Sequence, residues 1–199
     1  MKKILAELKD LRRKPDGDVY DPDIKRIAAR LGADHALALK LWDADGTAAQ
    51  ALAICVADPG QFDAGLAERW VADIGEWGIC DSFTARLVRP KPFAVKKAHQ
   101  WAKREPEFER RAGFSLMAQM AWQKNDHADE VFIRFLPLVE KYAGDDRLYV
   151  RKAVNWALRD IGKRNARLKK HAREMAKRLS SSDSKTARWV GSHRMKEIG

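Results

Sequence analysis

The chain has 199 residues, 45% of them hydrophobic, which is enough for one globular domain with a substantial core and excludes a disordered chain. No apolar run reaches membrane-spanning length, the N-terminal MKKILAELKDLRRKPDGD lacks a signal-peptide apolar region, and Cys55 and Cys80 imply no disulfide framework. The net charge of +11 is placed unevenly: residues 1–145 carry 23 Lys+Arg against 23 Asp+Glu, residues 146–199 carry 16 against 5. The expectation is a cytoplasmic, monomeric protein without membrane association that binds a polyanion mainly through its C-terminal part. The plainer alternative is a basic solubilising tail, but these cations lie on periodic helical patterns.

Helical periodicity runs through the chain. Lys2–Arg13 spaces Ile4, Leu5, Leu8 and Leu11 for a helix that stops before Pro15, and KPDGDVYDPD reads as a loop. Asp21 caps a helix with Pro22 at its first position, running to Gly32. Asp34–Asp43, Thr47–Asp58, Phe62–Ile74 and Glu76–Arg89 follow, broken at Pro59, Gly75 and the RPKP of residues 89–92. Phe93–Arg104, Pro106–Lys124, Ala128–Ala143, Arg147–Lys163, Leu168–Leu179 and Lys185–Ile198 complete the set. Their breaks are Pro106, Asn125–Asp126, Gly144, the Arg164–Arg167 region and SSSDS at 180–184.

No segment alternates with period two, so no sheet is expected. Short helices with short breaks suggest an all-α fold, an α-solenoid (superhelix) of HEAT-like repeats with a concave DNA-binding face. It is read as a single domain over 1–199, with helices in 1–33 capping the solenoid. A tryptophan-bearing helix recurs near positions 42, 77, 122 and 156, a spacing that a plain helical bundle would also give.

Within Tyr149–Asn165, Val150, Ala153, Val154, Ala157 and Ile161 fall on the face a helix buries. Tyr149, Lys152, Trp156, Arg159 and Lys163 fall on the other. Long cations reach phosphates and an indole lies against sugar or base. The alternative is a tryptophan in an interhelical groove with a solvated cationic rim.

EWGICDSF, residues 76–83, sets Trp77 and Asp81 four apart on one helical face, with Ile79, Cys80, Phe83 and Leu87 on another. An indole and a carboxylate then stand beside the core. The alternative for Asp81 is a helix–helix ion pair with Arg111 or Arg151. The five histidines are scattered and no metal-ligand or nucleotide-binding pattern occurs, so neither metal nor cofactor is expected.

From about Leu39 onward the chain resembles the DNA alkylation repair family of HEAT-like-repeat alkylpurine DNA glycosylases. The resemblance rests on LW at Leu41–Trp42, ADP at Ala57–Pro59, RWVADIGEWGICDSF at Arg69–Phe83, ERRAGFSLMA at Glu109–Ala118 and DDRLYVRKAVNWALRDIGKRN at Asp145–Asn165. It implies a solenoid around alkylated double-stranded DNA, with Asp81 as catalytic carboxylate and Trp77 and Trp156 lining the lesion cleft. It also implies Arg111 as a backbone-binding arginine; the cations Lys152, Arg159 and Lys163 on the polar face of residues 149–165, with Arg164, are expected to bind DNA phosphates. The implied activity is monofunctional release of N3- and N7-alkylated purines without base flipping; some relatives bind unusual DNA structures without excision. Two departures stand out: Gly78 where the family often carries an acidic residue, and small residues at Gly46–Ala49 in place of a charged pair.

Overall fold

Helix-stop residues and capping side chains cut the chain into short helices, as the periodicity predicts. The protein is represented by a computed structural model that describes residues 1–11, 21–122, 127–193 and 195–198. Part of the expected 14–23 loop and the whole Asn125–Asp126 break lie outside these residues. Among the described residues there is no strand. Contacts divide the chain into two compact units, Met1–Leu87 and Val88–Gly199.

The first unit holds α1 (Lys2–Lys9), α2 (Asp21–Leu31), α3 (His35–Trp42), α4 (Thr47–Val56), α5 (Ala64–Ala72) and α6 (Trp77–Phe83). Carboxylates start α3, α5 and α6: Asp34 accepts from Leu37 N at 2.9 Å, Asp63 from Leu66 N at 2.7 Å and Glu76 from Ile79 N at 2.9 Å. Each satisfies one backbone donor that the first turn leaves open. α4 packs against α1, α2, α3 and α6, and the short link Asp43–Gly46 makes α3–α4 a helical hairpin. The core is aromatic. Trp42 and Trp70 stack at 3.9 Å and 3°, with the edges of Phe62 and Phe83 closing around them. The Trp42 indole N–H donates to Asp73 at 2.9 Å, so a largely buried ring keeps its polar atom satisfied.

Sequence periodicity predicted one helix over Glu76–Arg89. Instead α6 ends at Phe83 and a π-helical turn, Thr84–Val88, follows. The Thr84 hydroxyl donates to the carbonyls of Cys80 at 2.8 Å and Asp81 at 3.1 Å, meeting acceptors at the change of pitch. Cys80, Phe83 and Leu87 are buried together as expected, with Ile79 beside them.

The second unit holds α7 (Ala94–Trp101), α8 (Glu107–Trp122), α9 (Asp129–Tyr142), α10 (Leu148–Lys163), α11 (Ala166–Ser180) and α12 (Lys185–Ser192). α8 is its centre, buried all round from Arg110 to Ala121 and packed against α7, α9 and most extensively α10. Gly113 allows α7 to close in: a Cβ there would stand 2.2 Å from the Ala102 backbone nitrogen. The predicted buried face of α10 is as read, with Val150, Ala153, Val154, Ala157 and Ile161 all essentially inaccessible.

Lys185–Ile198 was also expected to be continuous. α12 ends at Ser192, His193 turns extended at ψ 118, and a 3-10 turn, Met195–Ile198, returns to α10 and α11. Buried Ile198 anchors that turn above Gly162, where a Cβ would meet Ile198 at 2.8 Å.

Candidate nucleic-acid interface

The expected site residues fall into two cavities, one in each unit. In the first unit a 410 Å³ cavity lies among α2, α4, α6 and the π-helical turn. Trp77 and Asp81 both line it, as their four-residue spacing requires. Trp77 is 44% exposed and Asp81 half-buried, so indole and carboxylate stand beside the core and face the opening.

Glu76 adds a second carboxylate to this wall. A Cβ on Gly78 would come within 3.0 Å of Glu76 Oε2. The negative charge beside Trp77 thus comes from the residue before it rather than the residue after. Lys25 and Arg86 lie on the same wall, and neither was expected there.

In the second unit a 270 Å³ cavity is lined by Arg111, Lys152, Asn155, Trp156, Arg159, Trp189 and His193. Four of these were expected from sequence, three were not. Trp156 is half-buried and its Nε1–H donates to Asp160 Oδ2 at 2.6 Å. This fixes the ring on α10. Asp160 is 5% exposed, and burial pushes its carboxyl above the usual range despite the bond from Trp156 and the charges of Arg159 and Lys163.

Arg111 is buried; its Nη1 donates to the Tyr149 carbonyl at 2.9 Å, and its guanidinium lies 5.9 Å from the Tyr149 ring. Lys152 is exposed, its Nζ 6.0 Å from the centre of the same Tyr149 ring. Arg159 Nε sits 3.5 Å from Asp160 and 3.4 Å from Glu197, and Lys163 Nζ pairs with the same Glu197 at 2.6 Å. Two of the expected phosphate-binding cations therefore share one carboxylate from the C-terminal turn.

Arg164 is set apart from this cavity. It reaches the carbonyls of Ala121 at 3.4 Å and His127 at 3.2 Å, with its guanidinium 4.5 Å from the Phe132 ring. Those contacts tie the end of α10 to the end of α8 and the start of α9.

Asn155, Trp189, His193 and Asp160 escaped the sequence reading. Buried Asn155 donates to the carbonyls of Val190 at 3.0 Å and His193 at 3.1 Å, docking α12 on α10. Trp189 and His193 stack at 4.4 Å and 18°, and the Arg151 guanidinium lies 5.4 Å from the Trp189 ring. Their four-residue spacing was the available signal.

At the start of α10, Asp145 receives Arg110 Nη1 at 2.7 Å and Arg147 Nη2 at 2.6 Å, while Arg110 also faces the Tyr142 ring at 4.4 Å. Burial raises the Asp145 carboxyl, but the bonds from Arg147 and Arg110 outweigh it and bring the pKa down to about 2.

The molecule is thus an all-α helical-repeat protein with an indole–carboxylate cavity in one unit and an indole–cation cavity in the other. By its sequence it belongs to the DNA alkylation repair enzyme family, whose model matches residues 18–188. No curated protein matches the chain. One similar solved structure is described as a new family of proteins related to the HEAT-like repeat DNA glycosylases with affinity for branched DNA structures. It is 20% identical, covering 88% of this chain and 81% of that chain, with a TM-score of 0.78. The fold is therefore the HEAT-like helical-repeat fold.

Proposed function

We propose that the protein is a monofunctional DNA glycosylase that hydrolyses the N-glycosidic bond of cationic N3- and N7-alkylated purines in duplex DNA. The observation that carries this reading is the pairing of Asp81 with exposed Trp77 on the wall of one open cavity. An alkylated purine is already cationic and leaves as a neutral base, so the reaction needs no general acid. It needs stabilisation of the positive charge that develops on the deoxyribose. A carboxylate does this electrostatically and orients the attacking water.

Trp77 and Trp156 supply aromatic faces for the sugar–phosphate backbone and for a cationic lesion, an attraction of about 0.5–2 kcal/mol depending on desolvation. Lys152, Arg159 and Lys163 hold phosphates, which sets register without reading sequence. Asp160 keeps Trp156 in one orientation. Excision without base flipping needs no enclosing pocket, and a site that never encloses the base tolerates bulky adducts.

A second reading, a non-catalytic binder of damaged or branched DNA, is favoured by the description of the solved relative. Duplex DNA containing 7-methylguanine separates the two. A glycosylase releases free 7-methylguanine and leaves an abasic site cleaved by alkali. Tight binding without release of base identifies the binder.

A further inference from the structure

Resting on that DNA-binding reading, we infer that Lys25 and Arg86 form a phosphate-binding pair that holds the DNA backbone against the Trp77–Asp81 cavity. The charge distribution along the chain hides this pair, because residues 1–145 are electrically balanced. The three-dimensional arrangement does not. Both cations line the cavity wall that carries Glu76 and Asp81, one from α2 and one from the π-helical turn. Both are exposed.

Arg86 reaches the cavity by ordinary helical spacing: it stands four residues after Ser82 and eight after Gly78, and both line the same cavity.

The electrostatics give the pair its role. Glu76 and Asp81 repel a phosphodiester, so a duplex approaching Asp81 meets a local barrier, and salt confines compensating charge to within about 8–10 Å. Lys25 and Arg86 on the same wall offset that charge locally. The ligand is the DNA backbone itself, whose phosphates bind cations with counterion release and no sequence preference.

The test is equilibrium binding of an unmodified duplex across a salt series, using wild-type protein, Lys25→Ala with Arg86→Ala, and Lys9→Ala with Lys40→Ala. The last pair removes the same charge from exposed positions outside the cavity. The cavity pair should lower the salt slope by up to about 1.8, or about 0.9 per lost phosphate contact, while the control leaves it unchanged. Lys25→Gln with Arg86→Gln serves if the alanine variant melts early. An unchanged slope, or an equal loss in the control, overturns the inference. If Lys152→Ala with Arg159→Ala and Lys163→Ala flattens the slope and the cavity pair does not, the pair is rejected while the DNA reading stands. Absence of salt-dependent binding in the wild-type protein rejects both.

Discussion

Replacing Asp145 with Asn should destabilise the second unit in a strongly pH-dependent way. Asp145 is held by Arg110 and Arg147, with its side chain only 7% exposed. Its pKa falls from 3.8 to about 2. At about 1.4 kcal/mol per unit, that shift corresponds to about 2 kcal/mol of stability at neutral pH. Asn keeps the shape and one acceptor but not the charge, so the loss should be about 2 kcal/mol. For a chain of this length that is roughly 4–8 °C in melting temperature.

The sign follows from the depressed value. Stability from the ionised carboxylate is fully present above the unfolded pKa and disappears as pH falls through the folded one. Urea denaturation of wild type and variant should therefore show a gap at pH 7 that narrows below pH 4 and is nearly closed at pH 2. The consequence for function is local: Arg147 precedes α10, and Glu107 Oε1 accepts the Tyr149 N–H at 3.1 Å in the same cluster. A gap of the same size at pH 7 and pH 2 would refute the charge-based account.

The C-terminal cations are tested by Lys152→Ala with Arg159→Ala and Lys163→Ala, which should weaken binding to all duplexes alike and lower the salt slope by up to about 0.9 per contact. Glu197→Gln should do the opposite, releasing the pair on Arg159 and Lys163 and tightening duplex binding several-fold at low salt, as filter binding or anisotropy would show. Asp160→Ala should cost about 1–3 kcal/mol by leaving the Trp156 N–H without its acceptor, whereas Asp160→Asn should be far milder. Because burial raises the Asp160 pKa, its charge opposes folding increasingly as pH rises from the ordinary carboxylate range through the raised value; Asp160→Asn should remove that slope from urea midpoints, and an unaltered profile would count against it.

Much of this architecture was legible because it depends on local periodicity. The buried faces of α6 and α10 follow from apolar residues at three- and four-residue spacing, and helix ends from Asp34, Gly75 and the prolines. Trp77 and Asp81 share a cavity wall because four residues make one helical turn. What was not legible depends on departures from that period or on partners distant in sequence. Lys25 comes to the Asp81 wall from another helix, α2. Asp160 reads as a surface charge until its bond to Trp156 is seen. Arg111 reads as a surface cation, yet α8 is enclosed by three other helices. Glu197 lies 34 residues beyond Lys163, and no local pattern pairs them.

The central claim is that Asp81 stabilises charge on the deoxyribose. Single-turnover excision of 7-methylguanine at saturating protein, comparing wild type with Asp81→Asn, measures this directly, with thermal melts of both proteins alongside. Asn preserves the shape and deletes the charge, so base release should fall roughly 10²–10³-fold while the melting temperature and duplex affinity hold or improve. Full excision by a stable Asp81→Asn protein would contradict the account, as would an activity loss that merely follows a fall in the folded fraction.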